Sequence, residues 1–184
     1  KIQQAGNGLT QAQANKDLLD HGVLHVARFD AEGTGQWIPM VHGQGPLTAA
    51  NGFADQGEVL IKSRQASDLL GATKMDRPEW GAVNPANGEV YFTLTNARSK
   101  RPVIETDAAN PRSYTDNSSG TGSTAGNWNG HIIRWRENNS NPAATAFDWD
   151  IYVFGAETDD LNNANVNLSG LTADNFLSSP DGLW

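Results

Sequence analysis

The chain has 184 residues, a length typical of one domain or of part of a larger one. Its 19 glycines and abundant Asn and Thr favour strands joined by turns, and hence an all-β fold. The net charge of −8 without a basic stripe argues against nucleic-acid binding, and the absence of cysteine excludes disulfides and thiolate metal ligands within the chain.

The ends of the chain support a further expectation. The sequence begins at Lys1 without a signal peptide, ends at Trp184 within an expected strand, and has no apolar run of membrane-spanning length. We therefore expect residues 1–184 to form a single partial domain, a piece of a larger protein.

The first part of the chain predicts a short helix followed by a hairpin. Thr10 and Gln13 make a capping box for a helix over residues 10–20. Alternating residues predict strands at 23–29 and 36–41. Three histidines in this region lack metal-ligand spacing and are assigned ordinary polar roles: His21, His25 and His42.

A glycine-rich loop and a second helix come next. Residues 43–52 lack the Gly-Lys-Ser/Thr of a phosphate-binding loop. Asp55 and Glu58 form another capping box, and apolar residues at helical spacing continue from it to a stop at Gly71. We expect this helix to pack on the outside of a β-fold.

The stretch 75–96 carries the clearest β signal. Asn87-Gly88 lies between a short apolar run and the alternating strand 90–95, which is the strongest short-range pattern for a hairpin. Pro78 fixes the backbone just before the first strand. Glu79 is therefore expected at a rigid, extended strand start, where propeller folds place groups that line a central channel.

A second proline-acid pair, Pro180-Asp181, stands near the end of the chain. Glu79 and Asp181 are 102 positions apart (181 − 79), whereas a four-stranded propeller blade needs roughly 40–50 residues. This distance suits two blades with insertions. We predict a partial β-propeller of about two to three blades, with one or two short helices in insertions.

The second half of the chain predicts two more strands, at residues 129–137 and 146–154. Residues 116–126 are of low complexity and predict a surface insertion. Residues 158–175 form an Asn/Asp-rich loop that does not match a calcium-binding EF-hand loop.

Strand alternation orders the charged residues of these two strands. It puts Arg134 and Arg136 on one face of the first strand and Glu137 on the other. In the second strand Asp148 and Asp150 share a face, which we expect to be solvated rather than to bind a metal ion.

Several long runs are similar to one known family. They are HGQGPLTAANGFADQGEVLIKSRQASDLLGAT, MDRPEWGAVNPANGEVYFTLTN, GHIIRWRE with the following AATAFDWDIYVF, and SSPDGLW. Over roughly residues 24–184 the chain resembles the PhoX-type alkaline phosphatases. The resemblance implies a six-bladed β-propeller, exported by the twin-arginine route to the periplasm or secreted, that hydrolyses phosphomonoesters. It also implies iron and calcium ions (Fe3+ and Ca2+) at the channel mouth.

The resemblance implies roles for particular residues. Glu79 resembles a metal-bridging carboxylate, Glu137 a metal ligand and Asp181 a calcium ligand, which suits the preference of Ca2+ and Fe3+ for carboxylate oxygen. Arg134 or Arg136 resembles the phosphate-binding arginine, because a planar guanidinium matches a phosphate bidentately. The choice between the two stays open.

Three functions follow from these observations. The main hypothesis is metal-dependent phosphomonoester hydrolysis by the parent protein, in which a metal-bound oxygen attacks phosphorus. The alternatives are a non-catalytic propeller segment with a structural or binding role, and a calcium-dependent lactonase-type propeller hydrolase. The expected partners are a small phosphomonoester and, through open β edges, a second copy of the chain.

Overall fold

A computed structural model describes residues 10–17, 20–97, 106–115 and 125–184. Its helices are α1 Gln11–Ala14, α2 Gln56–Ile61 and α3 Ser63–Leu69. Its strands are β1 His25–Phe29, β2 Thr34–Pro39, β3 Pro78–Val83, β4 Val90–Leu94, β5 Tyr114–Thr115, β6 Ala125–Gly126, β7 His131–Glu137 and β8 Ala146–Phe154. The all-β class with a few short helices is confirmed, and most of the insertion predicted at 116–126 lies outside the described residues.

Six strands form one sheet, in the order β1-β2-β8-β7-β4-β3. The pairs β2–β8, β8–β7, β7–β4 and β4–β3 are antiparallel, and the short strands β5 and β6 pair with each other. The described strands are thus not divided into separate four-stranded sheets. The number of blades stays a prediction.

The predicted hairpin of the stretch 75–96 is confirmed as β3 and β4. Their register pairs Val83 with Val90. In the turn between them, the amide of Gly88 donates to the carbonyl oxygen of Asn84 at 2.8 Å. Gly88 has φ of 75°, which a residue without Cβ adopts at little cost.

Two compact units divide the chain, one comprising residues 1–26 and 38–70 and the other residues 27–37 and 71–184. The core of the first unit consists of apolar side chains from the loop that follows β2 and from the helices α2 and α3: Met40, Leu47, Phe53, Val59 and Ala66. The core of the second unit is largely aromatic and aliphatic: Phe29, Leu94, Ala109, Ile133, Phe147 and Trp149. Whether both units belong to one propeller domain stays a prediction.

The helices differ from the sequence-based expectation in length. The capping box of Thr10 and Gln13 is present, but α1 has only four residues. The single helix predicted after Asp55 is two helices, because Lys62 leaves helical geometry at φ −93° and ψ 32°. Within the described residues no helix is long and apolar enough to cross a membrane.

Candidate functional site

The first proline-acid motif begins the edge strand β3. A bulge between Pro78 and Gly81 interrupts the pairing with β4, and Arg77 has φ of 46°. Left-handed backbone is uncommon for a residue other than glycine, and a following proline favours extended backbone instead. Glu79 has a 37% exposed side chain, and its Oε1 accepts a hydrogen bond from Arg77 Nη2 at 3.2 Å.

The second motif repeats this backbone conformation. Ser179, which precedes Pro180, has φ of 49°. Among the described residues four non-glycine positions have positive φ, and two of them directly precede the prolines of the two motifs. Such conformations persist only where the surrounding contacts hold them, and they are frequent at functional sites.

The buried hydroxyl of Thr93 on β4 brings the two motifs together. It accepts a hydrogen bond from the amide of Trp80 at 3.0 Å and lies 3.0 Å from the carbonyl oxygen of Asp181, to which it can donate. On the same strand side, Thr95 Oγ1 donates to the carbonyl oxygen of Pro180 at 2.9 Å. Segments that are 102 positions apart in sequence (181 − 79) therefore meet at one end of β4.

Side chains of the two motifs are also linked through Asn96, which is 3% exposed. Its Oδ1 accepts from Arg77 Nη1 at 3.2 Å, and its Nδ2 donates to Ser179 Oγ at 3.4 Å. We refer to Arg77, Glu79, Thr93, Asn96, Ser179 and Asp181 as the motif junction. It contains two predicted metal ligands and one arginine.

A buried pair of asparagines anchors both sides of the motif junction. Asn127 Nδ2 donates to Asp76 Oδ2 at 3.2 Å, directly before Arg77. The carbonyl oxygen of Asn129 accepts from the amide of Ser179 at 2.8 Å. Both asparagines are fully buried, so the segments that carry the two motifs depend on one interior network.

Arg112 is the centre of that network and is only 4% exposed. Its Nε and Nη2 donate to Asn127 Oδ1, its Nη1 to the carbonyl oxygens of Gly155 and Val166, and its Nη2 also to that of Gly130. All five N–H groups of the guanidinium are therefore satisfied. Burial lowers the pKa of Arg112, although a guanidinium stays protonated in proteins.

His131 completes the network as a neutral side chain. Its Nδ1 lies 2.8 Å from Asn127 Nδ2 and its Nε2 lies 2.7 Å from the carbonyl oxygen of Ala109. Since an amide nitrogen and a carbonyl face the two ring nitrogens, Nδ1 accepts and Nε2 donates. Burial lowers the pKa of His131 to about 4.

The two predicted phosphate-binding arginines lie on another part of the sheet. Arg134 forms a bidentate pair with Asp150, with Nε 3.0 Å from Oδ1. Arg136 Nη2 donates to Glu89 Oε1, and Arg134 Nη1 is 4.0 Å from the same oxygen. The hydrogen bond with Asp150 raises the pKa of Arg134.

Glu89 is the carboxylate that connects these arginines to the hairpin turn. Its Oε2 accepts from Asn87 Nδ2 at 2.8 Å and from the hydroxyl of Tyr91 at 2.9 Å, and these hydrogen bonds lower the pKa of Glu89. A cavity of about 230 Å³ borders this group and the acids of β8. Asp148 and Asp150 thus lie on an exposed face beside arginines, in line with the expected solvated face.

Glu137 lies on the opposite face of β7 from the two arginines. The register with β8 is continuous from Ile133 to Glu137, so the side chains alternate as predicted. Glu137 Oε1 accepts from Trp135 Nε1 at 3.1 Å, and the Trp135 ring packs against the core residue Phe29 with centroids 6.2 Å apart. The bulge in β7 lies earlier, between Ile132 and Ile133, and does not bring the two faces together.

The predicted residues therefore lie in three places rather than one: Glu79 and Asp181 at the motif junction, the two arginines on one face of β7, and Glu137 on the other face. Thr93 at the motif junction and Glu89 beside the arginines are four positions apart on or next to β4, which corresponds to roughly 13 Å of extended strand. In the part of the chain that the structure describes, no three His, Cys, Asp or Glu side chains are grouped to hold a metal ion. Glu79 and Asp181 by themselves fall short of the six to eight oxygen ligands that Ca2+ takes.

Sequence reasoning missed Arg77 and Thr93. The proline after Arg77 favours extended backbone, so the sequence carries no signal for its left-handed conformation. For Thr93 the sequence predicted only a position in an alternating strand and no contact with either motif. Knowledge of the register between β3 and β4 would have placed its hydroxyl next to the first motif.

Two comparisons with known proteins matched the chain to one family. The family model described as alkaline phosphatase PhoX matches residues 3–184. Pseudomonas fluorescens PhoX, solved in complex with vanadate, a transition state analogue, is 40% identical with a TM-score of 0.77; the match covers 95% of this chain and 30% of that chain. A search of curated proteins found no match. The resemblance found in the sequence and the fold class of a partial PhoX-type propeller are thus confirmed, and the chain belongs to the PhoX alkaline phosphatase family.

Proposed function

We propose that the protein containing this chain hydrolyses phosphomonoesters, and that the motif junction is this chain's part of the active site. The observation that carries the proposal is the meeting of both proline-acid motifs at Thr93. Membership of an alkaline phosphatase family and a relative solved with a transition-state analogue support it. Because the chain spans only 30% of that relative's length, residues beyond this chain would complete the site.

The metal ligands are part of the proposal. Glu79, Glu137 and Asp181 are the proposed ligands, and the family resemblance implies calcium and iron (Ca2+ and Fe3+). The described residues do not form a complete metal site, so further ligands would have to come from other parts of the protein. What this chain supplies is carboxylate oxygen at Glu79 and Asp181, held in place by strained backbone on a buried network.

The proposed phosphate contact on β7 is Arg134 or Arg136. Arg136 is better placed for a ligand, because its side chain is 47% exposed and is held through one terminal nitrogen. Arg134 is 32% exposed and is already bidentate with Asp150. A phosphate at Arg134 would have to displace that carboxylate.

The test is hydrolysis of p-nitrophenyl phosphate by the native protein, supplied with Ca2+ and Fe3+, in comparison with Glu79→Gln. The amide keeps the shape of the side chain but loses the charge that hard cations require. We expect activity and calcium content to fall together in Glu79→Gln. The matched control is Glu32→Gln, which makes the same change at an exposed turn residue. Normal turnover and calcium content in Glu79→Gln would exclude Glu79 as a ligand.

The first alternative is a non-catalytic propeller segment with a structural or binding role. The same assay distinguishes it, since a structural segment would give no phosphatase activity in any metal. Lactone hydrolysis measured in parallel would identify the lactonase-type alternative.

Two further proposals concern location and assembly. The resemblance implies export to the periplasm or secretion, which cell fractionation with detection of the native protein would test. β1 and β3 are the outer strands of the sheet, and unpaired strand edges promote association of copies. Light scattering after size-exclusion chromatography should show this chain as larger than a monomer, and a monomer at all concentrations would contradict it.

A further inference from the structure

The segment around Asp181 is held through its backbone and through the serines before it. The carbonyl oxygens of Pro180 and Asp181 lie next to threonine hydroxyls on or beside β4, and the amide of Ser179 donates to the carbonyl oxygen of Asn129 at 2.8 Å. The carboxylate of Asp181 has no hydrogen-bond partner among the described residues, and Asp181 is exposed. The direction of this carboxylate is therefore set by the contacts of the backbone that carries it.

The side chain of Asn129 adds a contact with Ser178. Ser178 Oγ lies 2.7 Å from Asn129 Oδ1. At the other end of the amide, Asn129 Nδ2 donates to the Tyr114 hydroxyl at 2.7 Å and to Asp160 Oδ2 at 3.0 Å. Because an ionised carboxylate only accepts, Asp160 fixes the orientation of the amide, and the Ser178 hydroxyl must donate to Oδ1.

Asn129 is itself a rigid point of the interior. It is fully buried, and its backbone amide also donates to the Tyr114 hydroxyl, at 2.9 Å. A Cβ atom on Gly155 would lie 2.1 Å from the Asn129 carbonyl oxygen, so the backbone has no room to shift on that side. The next residue, Gly130, is held by Arg112 through its carbonyl oxygen. Ser178 and Ser179 are thus bonded to a residue that cannot easily move.

We propose that Asn129 is a positioning residue of the active site, which acts through Ser178 to orient the Asp181 carboxylate as a ligand of Ca2+. Asn129 has no access to a substrate, because it is fully buried. Residues that orient the ligands of a metal ion change its affinity by about 10- to 100-fold when they are replaced. This inference rests on the proposed function for the role of Asp181.

The test compares Ca2+ binding by the native protein and by Ser178→Ala, measured by isothermal titration calorimetry without substrate. The substitution removes one hydroxyl and leaves the Asp181 carboxylate in place. We expect affinity for Ca2+ to fall about tenfold, and Ser178→Thr, which keeps a hydroxyl, should recover most of it. At saturating Ca2+, kcat for p-nitrophenyl phosphate should return to the native value, because the ligand itself is intact.

The matched control is Ser67→Ala in α3. Ser67 Oγ also donates at 2.7 Å, to the carbonyl oxygen of Ser63, and both serines are partly buried. Each variant loses one hydrogen bond, so similar falls in melting temperature are expected, whereas Ca2+ affinity should fall only in Ser178→Ala. Native Ca2+ affinity in Ser178→Ala would overturn the inference, as would a native protein that binds no Ca2+.

Two further variants identify the partner of Ser178. Its hydroxyl also lies 3.3 Å from Glu157 Oε1, a longer contact than that with Asn129, so Glu157→Ala should bind Ca2+ within about twofold of the native protein. In Asn129→Ala, the added Ser178→Ala should lower Ca2+ affinity no further. A tenfold loss in Glu157→Ala, or an undiminished effect of Ser178→Ala without Asn129, would overturn the role of Asn129.

The outcome is separate from that of the proposed function. Absence of hydrolysis by the native protein would refute phosphomonoester hydrolysis, whereas the Ca2+ titrations contain no substrate and still test whether Asn129 positions Asp181.

Discussion

The interior around Arg112 and the exposed face around Arg134 and Arg136 use the same side chain in opposite ways. Arg112 is 4% exposed and donates only to carbonyl and amide oxygens. The other two arginines are 32% and 47% exposed and pair with carboxylates. One group joins distant segments of backbone, and the other lies in solvent where ligands have access.

This difference in burial predicts that substitutions at Arg112 affect folding, whereas substitutions at Arg134 and Arg136 affect binding. When a buried guanidinium is removed, several hydrogen-bond acceptors lose their donor. Each unpaired acceptor lowers the free energy of unfolding. Exposed ion pairs are screened by water and contribute little. The motif junction lies between these extremes, since its backbone is anchored in the interior and its charged side chains are exposed.

The largest effect is expected from Arg112→Ala. Removing the guanidinium leaves Asn127 Oδ1 and the carbonyl oxygen of Gly155 without their donor and takes one of two donors from the carbonyl oxygens of Gly130 and Val166. The free energy of unfolding should therefore fall by about 3–5 kcal/mol. Urea unfolding followed by tryptophan fluorescence measures it. Arg112→Lys supplies three donors for five hydrogen bonds and should recover part of the loss. A loss in Arg112→Ala no larger than that of a surface arginine would show that the network is not needed for the fold.

A pH dependence should follow from His131 in the same network. Its folded-state pKa of about 4 lies below the ordinary value of 6.5, so the unfolded chain binds a proton in this range and the folded chain does not. The contribution of neutral His131 to the free energy of unfolding is fully present above pH 6.5. It falls by about 1.4 kcal/mol per pH unit down to about pH 4. Urea unfolding between pH 7 and 5 measures the slope. His131→Gln should flatten it, and an unchanged slope in that variant would assign the effect to other groups.

A smaller effect is expected at the motif junction from Thr93→Val. Valine has nearly the same shape but no hydroxyl, so the Trp80 amide and the Asp181 carbonyl lose a partner, which costs about 1–3 kcal/mol. Thr95→Val is the matched variant, because among the described residues its hydroxyl bonds the Pro180 carbonyl alone, and this substitution should cost less. Equal losses would show that Thr93 does not join the two motifs energetically.

The smallest effect on stability is expected from Arg134→Ala and Arg136→Ala. Both pairs are partly exposed, so the melting temperature should move by at most about 3 °C. Inhibition by inorganic phosphate should distinguish the two variants if either arginine contacts phosphate. If neither variant weakens inhibition, the prediction of a phosphate contact on β7 is wrong.

The sequence predicted what depends on neighbouring residues. β8 occupies the predicted residues 146–154 because alternation there is unbroken, and the Asn87-Gly88 turn joins β3 and β4 as expected. The Thr10 capping box is also local, and it is present. Each of these features is decided by side chains a few positions apart.

What the sequence did not predict depends on contacts between distant residues. At the break between α2 and α3, Lys62 Nζ donates to the carbonyl oxygen of Gly52 at 2.8 Å, a contact with the loop before the helices that helical spacing does not predict. The separation of the two predicted arginines from the motif junction follows from the register of β4 and β7. The sequence correctly predicted that Glu137 and the two arginines lie on opposite faces of β7. It did not predict which residues of the neighbouring strands they contact.

The hydrogen bond between Thr93 and Asp181 spans 88 positions, and that between Thr95 and Pro180 spans 85. Contacts of such sequence separation form late in folding, because the long loop must close before they stabilise anything. During synthesis, β3 and β4 emerge from the ribosome long before the segment that completes the junction. The contacts between the two motifs can therefore form only after translation has passed residue 181. Until then the backbone at Arg77 lacks its contacts with the second motif.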